Sequence, residues 1–168
     1  QKGYFFSKVD VMVEELSDNK INLIYNVEIG DKAKIKKISF IGDKIFKDRK
    51  LRSVIVSEEY KFWKFISGKK FLNQNLIDLD ERLLKNFYLN RGFYNVSINS
   101  SFAKMLNETE FELIYNIVPN NRFFFNKISL DLPIDFDQTN FEDLKKFFKK
   151  LKGKRYSLFT IEKIVKEI

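Results

Sequence analysis

Carboxylates are the side chains through which this chain could do acid–base chemistry. They cluster at Glu14 and Glu15, at Glu58 and Glu59, and at Asp78, Asp80 and Glu81. Paired carboxylates can divide the roles of proton donor and acceptor between them. The chain has no His and no Cys. That removes imidazole catalysis, thiolate nucleophiles, disulfides and zinc sites built on either residue. No Gly-rich phosphate loop accompanies the acidic pairs. They read as solvated faces, so an enzyme is not expected, and neither a cofactor nor a metal is expected.

Charge and composition narrow the field further. The 168 residues carry a net charge of +8 and an apolar content of 44%. That content supports packed cores and argues against general disorder. A basic balance can signal a nucleic-acid or anionic-membrane partner, but here the lysines are mostly scattered. The one concentrated stretch is Lys145, Lys146, Lys149, Lys150, Lys152, Lys154 and Arg155. No apolar run reaches the roughly 18 residues of a bilayer-spanning helix. The pattern is already running at Gln1, as expected of a segment cut from a longer protein.

The elements come in repeats. Leu23-Ile24-Tyr25-Asn26 returns as Leu113-Ile114-Tyr115-Asn116, and Lys37-Ile38-Ser39 returns as Lys127-Ile128-Ser129. Gly68-Lys69-Lys70-Phe71 is answered by Gly153-Lys154-Arg155-Tyr156. A period of about 90 residues suits an array of small complete domains rather than a solenoid.

Alternation at Val9–Val13 and Ile21–Val27, around the turn cluster Ser17-Asp18-Asn19-Lys20, predicts a β-hairpin. A strand follows at Ile35, Ile38 and Phe40, stopping at Gly42-Asp43. A helix begins near Asp48, with Leu51, Val54 and Ile55 at helical spacing. An aromatic loop carries Tyr60, Phe62, Trp63 and Phe65, with packing over the helix pair as its expected role.

The second helix is predicted to bury Leu76, Leu79, Leu83 and Phe87, flanked by Leu84 and Tyr88, and to end at Gly92. Strands near Tyr94–Ala103 and Phe111–Val118 close the unit, with a turn at Leu106–Thr109. A new strand is predicted at Phe124–Leu132, and a capping box at Thr139–Glu142. The buried stripe of the helix that follows is Leu144, Phe147, Phe148 and Leu151. The chain thus divides into a hairpin (residues 1–30), a complete β-α-α-β-β unit (31–121) and the opening part of another (122–168). The linkers Gly30-Asp31-Lys32 and Pro119-Asn120-Asn121 are too short for free tethering.

Ile38-Ser39-Phe40-Ile41-Gly42, then Phe46, Leu51, Ile55, Gly68, Phe71, Leu83, Phe87, Tyr88, Gly92 and Phe93 resemble a POTRA domain. That is the polypeptide-transport-associated module of outer-membrane assembly proteins. The unit at 31–121 is most similar to a third POTRA domain, with the end of a second before it and most of a fourth after it.

The resemblance implies an α+β fold, a three-stranded mixed sheet with two helices on one face. Its last strand lies in the middle and its second strand at an edge. It also implies a periplasmic arm, ahead of a membrane barrel, that receives unfolded outer-membrane proteins and holds accessory lipoproteins.

On that topology the edge is Tyr94, Asn95, Val96, Ser97, Ile98, Asn99, Ser100, Ser101 and Phe102. An edge presents unpaired N–H and C=O groups to an incoming extended chain, beside a groove expected next to the first helix. The stretch contains neither charge nor proline, the usual edge blockers. Tyr94, Val96 and Ile98 are expected to point inward.

The competing reading is nucleic-acid binding. Arg91-Gly92-Phe93 begins like an RNA-recognition signature. The signature then fails at Tyr94, where a small residue is wanted, and at Asn95, where a stacking aromatic should stand.

Overall fold

The structure, a computed structural model, describes residues 4, 7–43, 45–62, 68–135 and 137–167, with backbone alone at 99–102 and 138. Trp63 and Phe65 therefore lie outside the described residues.

The N-terminal hairpin forms as expected, from β1 (Lys8–Leu16) and β2 (Lys20–Glu28), paired antiparallel from Lys8↔Glu28 to Leu16↔Lys20. Asp18 and Asn19 both take positive φ, 65° and 56°. Asp and Asn tolerate that region because their short polar side chains bond locally. Both faces of the hairpin are open to solvent. Leu23 and Tyr25 are 51% and 62% exposed, whereas their repeats Leu113 and Tyr115 are fully buried.

The central unit is a mixed sheet in the order β3-β5-β4. Strand β3 (Lys34–Gly42) runs parallel to β5 (Glu110–Val118), and β4 (Ser97–Met105) runs antiparallel to it. Gly42, at φ +88°, lets the end of β3 close on β5, because a Cβ there would sit 2.5 Å from the Ile117 carbonyl. Helices α1 (Asp48–Arg52) and α2 (Gln74–Leu89) cover the sheet. Leu51, Ile77, Leu84, Phe87 and Tyr88 pack against Ile35, Ile38, Phe40, Leu113, Tyr115 and Ile117. Each such apolar side chain contributes roughly 1.5–3 kcal/mol by leaving water.

Helical spacing misplaces the buried face of α2 slightly. Ile77, Asp80, Leu84, Phe87 and Tyr88 are buried, while Leu76, Leu79 and Leu83 are only half-buried. The centre of that face is a carboxylate, which a search for apolar residues passes over. Asp80 also explains why α1 is short. Its Oδ1 accepts the amides of Val56 at 2.6 Å and Ser57 at 3.3 Å. That capture pulls the chain out of helix before Val54 and Ile55 can join it.

The third unit contains α3 (Glu142–Leu151) and α4 (Leu158–Glu167). Leu144, Phe148, Leu151 and Ile164 form its core, with Phe125, Ile128 and Leu130 packed against them. The strand expected at Phe124–Leu132 is reduced to one bridge, Phe124↔Arg155. Among the described residues no further strand pairs with it. The expected capping box is also displaced. A 3-10 turn at Gln138–Phe141 precedes α3, and Asp137, not Thr139, accepts the first amide, from Thr139 at 2.9 Å. A carboxylate is the stronger acceptor at a helix start, and Thr139 donates its hydroxyl to the same oxygen.

Candidate protein-binding edge

A three-stranded sheet has two edges, and the loops of this unit treat them differently. The outer side of β3 is closed. Tyr60 donates its amide to the Ile35 carbonyl at 2.6 Å, and Leu72 to Ala33 at 2.9 Å. At Ile38, the amide donates to Glu59 Oε1 at 3.0 Å and the carbonyl accepts from Arg52 at 2.6 Å. Arg52 and Glu59 pair with each other as well. Partial burial opposes ionisation of Glu59, yet Arg52 and the Ile38 amide hold its carboxyl below the usual range.

The outer side of β4 has no such cover among the described residues. The strand spans Ser97–Met105, so the edge is displaced toward the C-terminus from the expected 94–102. Ser97, Ile98, Asn99, Ser100, Ser101 and Phe102 lie on it. Tyr94 and Asn95 form a turn before it, and Val96 is a buried link between the two.

Tyr94 does not point inward. It is 55% exposed and stacks edge-on against Phe123 and Tyr156 of the next unit. The Gly92 turn, at φ +96°, aims the chain there. Val96 and Ile98 do turn toward the core. A register shift between Ile98 and Ser100 leaves Asn99 as a bulge opposite β5. Such bulges bend and twist a strand.

The groove beside this edge is walled by α2, not by the first helix. Its lining joins Val96, Ser97 and Ile98 to Glu81, Arg82 and Lys85 around a space of about 340 Å³. Helix α1 is committed to the other side, where Arg52 reaches Ile38.

This arrangement, a β-α-α-β-β unit with its last strand central and one bare edge, matches a known family. The POTRA model, described as "Surface antigen variable number repeat", matches residues 33–120. The chain belongs to the POTRA family. The outer membrane protein assembly factor BamA of Neisseria meningitidis serogroup B is 22% identical over 168 residues, 99% of this chain and 21% of that protein. BamA of Buchnera aphidicola is 24% identical over 103 residues, 60% of this chain and 17% of that protein. The chain therefore spans about a fifth of the length of these curated relatives. The crystal structure of Haemophilus influenzae BamA POTRA3-5 superimposes with a TM-score of 0.59 at 13% identity, covering 96% of this chain and 60% of that one. The fold is that of tandem POTRA modules.

Within this POTRA frame the linkers acquire specific contacts. Asn120, at φ 58°, donates its side-chain amide to the Asn95 carbonyl at 2.7 Å. A linker residue and an edge-flanking residue are thus tied together. Pro119 and Asn121 flank it, and Asp43 and Ile45 line the same hollow. At the other end, Gly30 and Asp31 precede Lys32, whose ammonium lies over the Tyr4 and Phe71 rings at 5.0 and 5.2 Å.

The carboxylate pairs have structural work. Glu14 accepts from Asn22, Glu59 closes the β3 edge, and Asp80 anchors α2 to the sheet. No group of three or more acidic residues that could hold a metal occurs among the described residues. Arg91 and Phe93, which open the RNA-like signature, are spent on packing. The Arg91 guanidinium lies 3.6 Å from the Phe87 ring centroid, and Phe93 is buried.

Proposed function

We propose that this chain is a piece of the periplasmic arm of an outer-membrane β-barrel assembly factor. Its β4 edge receives unfolded outer-membrane proteins and docks accessory lipoproteins by strand addition. The observation that carries the reading is the asymmetry of the sheet. The β3 edge is closed by four backbone or side-chain bonds, at Ala33, Ile35 and both polar groups of Ile38. The β4 edge is closed by none among the described residues. Family membership and the likeness to BamA support the setting. Among the described residues no helix is long and apolar enough to cross a membrane.

Strand addition reads main chain, not sequence, which suits a receptor for many clients. Its energetics favour transient capture. Four to six new backbone bonds contribute roughly 0.5–1.5 kcal/mol each. Ordering the incoming strand costs about 1–2 kcal/mol per residue. The two nearly cancel, so binding is weak and reversible unless client side chains also enter the groove beside α2. Reversibility is what hand-over to a downstream module requires.

Proline substitution tests this directly. Adjacent amides of a strand point to opposite sides. Of Ser101→Pro and Phe102→Pro, one interrupts pairing with β5 and the other removes only an outward donor. The variant that keeps its fold by circular dichroism should lose binding to a denatured outer-membrane protein segment. Binding unchanged in that folded variant would remove β4 from the mechanism.

A further inference from the structure

The groove beside β4 carries charge that the strand itself does not supply. Ser97–Phe102 contains no ionisable side chain, so the charge an added strand meets there comes from α2. Arg82 and Lys85 stand at i and i+3 on that helix and therefore share a face. Both line the groove with Val96, Ser97 and Ile98, and both are exposed.

Neither cation is neutralised from within the helix. Asp78 stands one turn before Arg82, where an ion pair would be favoured, but it accepts from Gln74 at 2.8 Å instead. Glu81 stands one turn before Lys85 and is half-buried. Arg82 and Lys85 enter no ion pair among the described residues. Glu81 is the single carboxylate of the lining, so the wall holds two cations against one anion, with the cations the more accessible.

The bulge at Asn99 fixes which side of the edge faces this wall. Ile98 and Ala103 are an odd number of positions apart, so a regular strand would turn them to opposite faces. The extra residue restores the phase. Ile98 pairs with Ile117 and Ala103 with Leu113, both partners are buried, and both Ile98 and Ala103 pack against the core. A strand added outside β4 therefore sends every second side chain to the α2 side. There it meets apolar surface, and beside Ile98 it meets Arg82 and Lys85. Covering the groove takes water from these cations, which is costly unless an opposite charge replaces it.

We propose that the β4 edge selects client strands carrying an acidic side chain on the face turned toward α2, held by Arg82 and Lys85. This rests on the reading of β4 as a docking edge and adds what that edge discriminates. Main-chain pairing reads no sequence; the helix wall gives it a preference of sign. A carboxylate beside Ile98 forms charge-assisted bonds with the two cations. A neutral residue leaves them uncompensated, and a lysine adds like-charge repulsion. A single-stranded nucleic acid would want aromatic stacking platforms beside the charges, and the groove lining contains no aromatic residue.

The test titrates the whole 168-residue chain with octapeptides of alternating Thr and Val in which one central Val is replaced by Glu, Gln or Lys. Backbone amide NMR shifts give both site and affinity. Every peptide should shift amides of Ser97–Met105. The Glu peptide should bind about threefold tighter than the Gln peptide, the scale of exposed charge pairs, and the Lys peptide should bind most weakly. The order should level out in the Arg82→Gln, Lys85→Gln variant and invert in Arg82→Glu, Lys85→Glu. Both positions are exposed, so these variants should keep their fold. Equal affinities in the parent, with shifts on β4, would overturn charge selection and leave strand addition standing. A Glu preference that persists in the Gln variant would overturn the assignment to Arg82 and Lys85. Shifts absent from β4 with every peptide would overturn the docking edge and this proposal together. Phosphatidylglycerol vesicles bound through Arg82 and Lys85, with the peptides undiscriminated, would assign the cations to a lipid surface and overturn the ligand class.

Discussion

The hydroxyl of Tyr115, on the central strand, donates to Oδ2 of Asp80 on α2 at 2.7 Å, and both residues are fully buried. Burial first, and then the Asp80 charge, push the Tyr115 hydroxyl far above the ordinary tyrosine range. Asp80 also holds the Val56 and Ser57 amides, so one carboxylate fastens α2, the post-α1 loop and β5 together. Asp80→Ala strands these donors and is expected to cost about 3–5 kcal/mol, and Tyr115→Phe about 1–3 kcal/mol. Urea unfolding measures both. An Asp80→Ala variant with the wild-type midpoint would show that the three elements are held by packing alone.

Tyr88 offers the opposite case. Its ring is fully buried, and its hydroxyl has no hydrogen-bond partner among the described residues. Burial raises its pKa from 10.0 to about 12. An acid with a raised folded-state pKa contributes its full stability below the unfolded value and loses it as pH rises from there. Stability should therefore fall as pH rises from about 10 toward 12. Tyr88→Phe removes an unsatisfied buried hydroxyl, so it should be neutral or stabilising by about 1 kcal/mol at pH 7. It should also flatten the alkaline decline. Thermal melts of both proteins at neutral and alkaline pH check this, and a destabilised Tyr88→Phe would contradict it.

The closure of β3 by Glu59 should be visible as acid sensitivity. Its folded-state carboxyl titrates below the ordinary value of 4.5. Its contribution is present above that value and lost as pH falls through the lowered one. Glu59→Gln should be less stable than the parent at pH 7, and the gap should shrink on acidification. The same variant should expose Ile38 to hydrogen exchange. Unchanged protection at Ile38 would mean that the loop closes the edge without the carboxylate.

The joint between the second and third units is bonded, not merely short. The side-chain oxygen of Asn90, just past α2, accepts from the Phe159 amide at 2.7 Å and the Ser157 hydroxyl at 3.3 Å. It thereby caps a helix in the following unit. Phe123 donates to the Gly92 carbonyl at 2.7 Å, and the Tyr94 and Tyr156 rings meet at 5.1 Å. Asn90→Ala should cost about 1 kcal/mol as a lost cap. Together with Tyr94→Ala it should broaden the distance distribution between spin labels placed at Ser53 and Lys163. A distribution already broad in the parent would refute a fixed joint.

What could be read in the sequence was what repeats. Leu113, Tyr115 and Ile117 recur from the hairpin at fixed spacing, and in the central unit they form the buried face of the middle strand. What could not be read were features set by residues distant in the chain. Asp80 holds the chain just past α1 through Val56, 24 residues away, and its own place in the core breaks the apolar spacing of α2. The edge begins at Ser97 because the Gly92 turn spends Tyr94 on the neighbouring unit, a contact across a domain boundary that local alternation cannot reveal. Asp137 displaced the Thr139 cap for a simpler reason, since both residues are plausible caps two positions apart.

The most direct test of β4 as the docking edge is amide hydrogen exchange, read residue by residue, with and without an excess of a denatured outer-membrane protein segment. The expected result is new protection at alternate amides of Ser97–Met105, with β3 unchanged because its edge is already occupied. Saturating client with no added protection on β4 would contradict the account.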